Sequence, residues 1–198
     1  MAISTIRTDV SIVGSQCGKT SLQSAFVKGR FDPRDFNISR AEIEGTSCIE
    51  VNGQKIELGI WDTPSQELYG RLRTDFAYPK TDVVVLCFSF DKPKSFEDIS
   101  EKWIPEVKKY LPKAPIILVG NKKDLQNDKD TIQELLKENQ EPVKTEDAQV
   151  LAEKIGAISY LECSAKENKG IREVFEAVAL AGIKQDEKKK KKSKCTLL

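Results

Sequence analysis

The sequence predicts an α/β fold in which six strands form a mostly parallel sheet with helices on both faces. Three observations predict it. Val83-Val84-Val85-Leu86-Cys87-Phe88 and Ile116-Ile117-Leu118-Val119 are unbroken apolar runs, as strands covered on both faces require. Apolar residues recur at helical spacing between and after them: Phe96, Ile99, Trp103 and Val107, then Ala148, Leu151, Ala152 and Ile155, then Ile171, Val174, Phe175 and Val178. Strands alternating with helices build a parallel sheet. The exception is Asn52-Gly53, a type I′ hairpin signal, which pairs the second and third strands antiparallel.

Taken in order, the first strand covers about Thr8 to Val13 and the first helix about Lys19 to Lys28. A polar, irregular stretch runs from Gly29 to Glu44. The second strand lies near Ser47 to Val51, and Ile56, Leu58 and Ile60 alternate along the third. The sixth strand falls within Ile158 to Cys163, after a helix for which Thr145 is placed as N-cap. Asp128 to Glu141 is surplus to this scheme. Its apolar residues are Ile132, Leu135 and Leu136, so it reads as a short, exposed, mobile helix stopped by Pro142, either a solvated surface element or a partner-binding insert.

At 198 residues the chain is long enough for one domain with a good core. Its net charge of +1 is unevenly placed: residues 184–198 hold seven Lys against Asp186 and Glu187, a local +5, and residues 1–183 carry −4. An acidic body with a basic tail argues against nucleic-acid binding and for a tail that seeks an anionic surface. The five cysteines, at 17, 48, 87, 163 and 195, have no metal-ligand spacing. Cys87 and Cys163 read as small core residues. With no Cys-rich framework and no secretory signal, a reducing compartment is expected. No run of 18 apolar residues predicts a membrane-spanning helix. The absence of histidine excludes an imidazole base or a His-ligated metal.

The chemistry begins at Val13-Gly14-Ser15-Gln16-Cys17-Gly18-Lys19-Thr20-Ser21, between the first strand and the first helix. Strand, glycine loop, Gly-Lys-Thr and helix is the layout of a phosphate-binding loop, whose backbone N–H groups turn inward around an anion. Lys19 can reach the β- and γ-phosphates and the Thr20 hydroxyl can ligate Mg²⁺. The usual pattern has four residues between its glycine and Gly-Lys, whereas Gly14 and Gly18 enclose three. Either the loop is one residue shorter, or Val13 occupies the first glycine position.

Ligands of an open α/β sheet bind beyond the carboxyl ends of its strands. Trp61-Asp62-Thr63-Pro64-Ser65-Gln66-Glu67 follows the third strand, Gly120-Asn121-Lys122-Lys123-Asp124 the fifth, and Glu162-Cys163-Ser164-Ala165-Lys166 the sixth. Asp62 can hold Mg²⁺, usually through water. Asp124 can accept hydrogen bonds from guanine N1–H and the 2-amino group, a donor pair that adenine lacks. Asn121 can brace the neighbouring loops, the Lys122 stem can lie along the base, and the Ala165 N–H can bond guanine O6.

These motifs, with Arg71-Leu72-Arg73, Tyr78-Pro79 and Glu101-Lys102-Trp103-Ile104-Pro105-Glu106-Val107, resemble the small GTPases of the Ras superfamily, and within it the Rho/Rac family. The likeness covers nearly all of the chain. The surplus helix falls where that family carries an insert, and Gln140-Glu141-Pro142-Val143-Lys144 is also similar to Rho. The resemblance implies a G domain over residues 1–183 with an insert helix at about 128–141, binding GDP and GTP with Mg²⁺. It implies cofactor contacts from Gly14 through Ser21, from Ser65, and from the Asn121 and Ser164-Ala165-Lys166 motifs. It places Phe31 against the guanine edge and Ser39 as the Mg²⁺ ligand of the GTP state, with Thr46 as an alternative. Gln66 would orient the attacking water, with Lys19 beside the phosphates. Exchange factors, GTPase-activating proteins, a GDP-dissociation inhibitor and effectors of Rho type are the implied partners, in actin and polarity signalling.

The chain departs from that family at both switches. Phe36-Asn37-Ile38-Ser39-Arg40 stands where Rho proteins read Tyr-Val-Pro-Thr-Val, in a segment about two residues longer. Asp62-Thr63-Pro64-Ser65-Gln66-Glu67 replaces Asp-Thr-Ala-Gly-Gln-Glu. Ser65 loses glycine's access to positive φ and Pro64 fixes its own φ, so a stiffer hinge is expected. Ser15-Gln16-Cys17-Gly18-Lys19-Thr20 resembles the Rnd subgroup, which binds GTP but hydrolyses it poorly, although Gln66 is kept. Two readings stay open: a slow, regulated GTPase, and a GTP-locked signalling module with negligible hydrolysis. A nucleotide kinase using the same loop is disfavoured by Asn121 and Asp124 and by the lack of an arginine-rich lid.

The tail, residues 184–198, has Lys188 to Lys192 and Lys194 before Cys195-Thr196-Leu197-Leu198, a polybasic run and a CaaX box whose final Leu favours geranylgeranyl at Cys195. One lipid plus basic residues worth about 1 kcal/mol each gives releasable attachment to anionic lipids. The expectation is the cytoplasmic face of a membrane, the plasma membrane first, with a cytosolic pool.

Overall fold

The computed structural model describes residues 6–33, 46–63 and 70–195, with side chains through residue 188. Six strands make one sheet in the order β2-β3-β1-β4-β5-β6. They are β1 (Ile6–Val13), β2 (Thr46–Val51), β3 (Gln54–Asp62), β4 (Val83–Ser89), β5 (Ile116–Asn121) and β6 (Ser159–Glu162). Every pairing is parallel except β2 with β3. Their hairpin turns at Asn52 and Gly53, with φ of 52° and 73°, both positive as a type I′ turn demands.

The period of two sorts the central strands into two cores. Val83, Val85 and Cys87 pack with Leu22, Phe175 and Val178 on one face of the sheet. Val84, Leu86 and Phe88 pack with Ile99, Trp103, Val107 and Leu151 on the other. The first face is covered by α1 (Lys19–Lys28) and α7 (Ile171–Cys195). The second is covered by α6 (Thr145–Ile155) and by a helical run of three parts: α3 (Pro93–Asp98), a π-helical turn (Ile99–Trp103) and α4 (Ile104–Tyr110). Pro105 has no N–H to give to the preceding turn, and the run widens just before it. After β3, α2 (Gly70–Leu72) continues as a second π-helical turn, Arg73–Ala77.

Three elements differ in detail from the sequence reading. The surplus segment is helical over α5 (Lys129–Lys137), shorter than Asp128 to Glu141. Asp128 caps it, accepting the Thr131 backbone N–H at 2.9 Å, and Asn139 at φ 55° lies beyond its end. Thr145 is not an N-cap. It is the first residue of α6, after Lys144, and its hydroxyl accepts from Lys123 Nζ and donates to Glu162 Oε1, each at 2.7 Å. A charged pair at the strand ends holds the hydroxyl more strongly than a helix N–H does. Finally, α7 runs without a break through the lysines to Cys195. Among the described residues, no helix is long and apolar enough to cross a membrane.

Candidate functional site

The candidate site lies where the sheet's order places it, beyond the carboxyl ends of β1, β3, β5 and β6. Val13 is the last residue of β1, pairs with Leu86 and is fully buried, so Gly14 opens the loop and the loop is short. A side chain at Gly14 would put its Cβ 2.2 Å from the Cys87 carbonyl oxygen, so only glycine fits. Gln16 at φ 48° and Gly18 at φ 82° turn the chain back on itself. Gly18 caps α1 in the left-handed region.

Each loop residue is tied down separately. Lys19, buried to 7% exposure, reaches across the loop and donates to the Gly14 carbonyl at 2.7 Å. The Cys17 thiol donates to the Cys87 carbonyl at 3.1 Å. Asn121 Nδ2 donates to the Cys17 carbonyl at 2.9 Å. Trp103 Nε1 donates to Ser15 Oγ at 3.0 Å, and Lys92 Nζ donates to Gln16 Oε1. Beside the loop, the Thr20 hydroxyl donates to Asp62 Oδ2 at 2.5 Å. A hydroxyl next to a carboxylate is the hard oxygen donor set that suits Mg²⁺. Among the described residues no group of three or more His, Cys, Asp or Glu could hold an ion unaided.

A cleft of about 160 Å³ adjoins the loop. Gly18, Ser21 and Leu22 line it from the loop and the start of α1, and Phe31 lines it too. Asn121, Lys122, Asp124 and Leu125 line it from the segment after β5, and Ala165 and Lys166 from the segment after β6. Lys122, at φ 57°, bends away from β5 and pairs with Asp91 Oδ2 at 2.8 Å. The Lys122 Cε lies 3.8 Å from where a Cβ on Gly18 would be. The Ser164 hydroxyl donates to Asp124 Oδ1 at 2.5 Å and accepts the Glu167 N–H at 3.1 Å. Among the described residues, Asp124 Oδ2 has no hydrogen-bond partner.

Asn121 joins three parts of the site. It is 4% exposed, its Nδ2 reaches the phosphate-type loop, and its Oδ1 accepts from the Cys163 thiol at 3.0 Å. Burial pushes that thiol's pKa up to about 12, and burial also holds Cys87 well above its ordinary value. Both therefore stay protonated at neutral pH.

The fold thus gathers Gly18, Ser21, Phe31, Asn121, Lys122, Asp124, Ala165 and Lys166 around one cleft. Gly14 through Thr20 and Asp62 stand next to it, and Ser164 sits behind Asp124. Ser39, Pro64, Ser65 and Gln66 lie outside the described residues, as does the Cys195 side chain. Thr46 opens β2, exposed, opposite Gly59. Sequence reasoning missed three residues that hold the site. Asp91 was findable, since it follows β4 as the others follow their strands. Lys92, next to it, carried no separate signal. Trp103 read only as a core residue, because nothing in a helical period says where an indole N–H points.

The sequence model of the Ras family matches residues 10–184, which takes in every described residue of the cleft and the loop. This chain is therefore a member of the Ras family, a small GTPase-type, GTP-binding switch protein of the Ras superfamily.

Proposed function

We infer that the cleft takes the guanine base and that the Gly14–Thr20 loop takes the phosphates, so that the chain alternates between GDP and GTP forms and hydrolyses GTP slowly. The observation that carries this reading is Asp124. Its Oδ1 accepts from Ser164 and keeps a further lone pair, and the carboxylate lines the cleft, so the two oxygens would take guanine N1–H and the 2-amino group between them. Asn121 holds the two halves of the site together through Cys17. The Ala165 N–H and the Lys122 stem would complete the base site, with Phe31 and Lys166 also lining the cleft.

On the phosphate side, Lys19 would exchange its bond to the Gly14 carbonyl for the β- and γ-phosphate oxygens, and the loop N–H groups from Ser15 to Ser21 would add fixed dipoles. Thr20 and Asp62, with Ser39 in the GTP form, would hold Mg²⁺, which supplies positive charge against the phosphates. Gln66 would orient the water that attacks the γ-phosphate, and Ser65 would offer its N–H to that phosphate. No arginine of this chain is assigned to the reaction, so fast turnover needs one from an activating partner, worth about 10³–10⁵ in rate.

The finer reading is Rho-type signalling at an anionic membrane, through the lysine run and a geranylgeranyl group on Cys195. Exchange factors, activating proteins, a dissociation inhibitor and effectors of Rho type would be the partners. Mass spectrometry of Cys195 from cells, together with membrane fractionation, tests the anchor. The loop sequence Ser15-Gln16-Cys17-Gly18-Lys19-Thr20, which resembles that of the poorly hydrolysing Rnd subgroup, favours a second reading, a GTP-locked module.

The deciding experiment is to denature the purified protein and identify its bound nucleotide by ion-exchange chromatography. GDP supports the hydrolysing switch and GTP the locked module. An empty site in Mg²⁺ buffer rejects both.

A further inference from the structure

Ser15 differs from its neighbours in the loop. The Gly14 carbonyl is held within the loop by Lys19, Cys17 is held by the core through Cys87 and Asn121, and Gln16 is held at the surface by Lys92. The Ser15 side chain is held from inside, by the indole N–H of a fully buried tryptophan. Trp103 is itself immobilised. It lies in the π-helical turn before α4, and Arg73, 2% exposed, sets its guanidinium 5.0 Å from the centre of the indole ring. Arg73 is held in turn by Glu106, one turn along from Trp103, through Nε to Oε1 and Nη2 to Oε2, each at 2.9 Å. Tyr78 donates to the same carboxylate at 2.6 Å. Two segments far apart in sequence, the loop at Ser15 and the turn Arg73–Ala77, thus meet on one face of one helix.

We propose that Trp103 is a positioning residue for the phosphate loop: its Nε1–H fixes Ser15 and so sets the conformation in which the shortened loop presents its N–H groups. The inference rests on the nucleotide-binding reading of that loop. A tryptophan N–H is a donor only, so it takes up an acceptor lone pair of the Ser15 oxygen and leaves the Ser15 O–H to donate elsewhere. A loop with one N–H fewer gains from a side-chain donor held in a fixed place. The bond also spares a buried N–H from standing unpaired, which ties the loop's geometry to the helix core.

The test uses the full chain as wild type, W103F, S15A and S15A/W103F. Phenylalanine keeps an aromatic ring in the core and removes the N–H. A fluorescent GDP analogue is loaded and chased with unlabelled GDP. Each single variant is expected to release it about fivefold faster, as loss of one hydrogen bond implies, and the double variant no faster than either. Wild-type release from W103F, or effects that multiply in the double variant, would overturn the proposal.

The Trp103 indole N–H resonance, separated from that of Trp61 by a W61F variant, gives a readout independent of nucleotide. It is expected to shift in S15A and to exchange with solvent faster, and an unmoved resonance overturns the pin even if W103F does not fold. Failure of every variant and of wild type to take up GDP rejects the nucleotide reading instead, while the resonance still decides whether Trp103 holds Ser15.

Discussion

On the proposed reading of the cleft, specificity for the base falls to single residues. Asp124 offers a carboxylate with one oxygen engaged by Ser164 and the other unpartnered among the described residues. Guanine supplies two donors to it, and xanthine, with a carbonyl at C2, supplies one donor and one acceptor. An amide matches that second pattern. D124N is therefore expected to lose about 3 kcal/mol or more of GDP binding, roughly 10²-fold, and to gain affinity for XDP. Competition titration with the two diphosphates checks it, and unchanged preference for GDP would remove Asp124 from the base site.

At the scale of elements, the turn Arg73–Ala77 is joined to α4 by charge rather than by apolar packing alone. Burial by itself raises the Glu106 carboxyl, and the hydrogen bonds from Arg73 and Tyr78, with the charges of Arg73 and Lys102, more than reverse this, so it titrates below its ordinary value. Burial and the bond to Glu106 push the Tyr78 phenol far upward, so it remains a donor throughout. For a carboxylate lowered on folding, the stabilisation is complete above the unfolded pKa of about 4.3 and is lost as pH falls through the folded value. Glu162, also raised by burial but lowered overall by Lys123, Tyr160 and Thr145, adds to the same trend between β6 and α6. E106Q is expected to be less stable at pH 7 and to show a flatter loss of stability between about pH 5 and pH 3. Urea unfolding at several pH values measures both, and a wild-type slope in E106Q would show that this ion pair is not the acid-labile contact.

At the scale of the molecule, two cores on opposite faces of one sheet hold the loops in register. α7 approaches the sheet closely at Gly182, where a Cβ would lie 2.0 Å from Thr8 Oγ1 of β1. G182V is expected to cost about 2 kcal/mol through overpacking, and to lift α7 from the strand that leads into the phosphate loop. Thermal unfolding together with GDP release checks it. A wild-type melting temperature would mean that α7 is not seated on β1 as described.

Much of this was legible in the chain itself. The unbroken apolar runs dictated buried parallel strands, Asn52-Gly53 dictated the one antiparallel pair, and residue types after β3, β5 and β6 marked the end of the sheet where a ligand would sit. Such signals are local: a period of two or 3.6, a turn that needs positive φ, and a glycine beside a lysine all act within a few residues. What only the tertiary structure decided is what meets across the chain. Cys17 and Cys163 converge on Asn121, and Lys122 pairs with Asp91. Thr145 leaves its cap for Glu162, and Trp103, an ordinary core position by its spacing, turns its one donor to Ser15. Each of these contacts joins residues from 17 to 104 positions apart, and a helical or strand period carries no record of which way such a side chain turns.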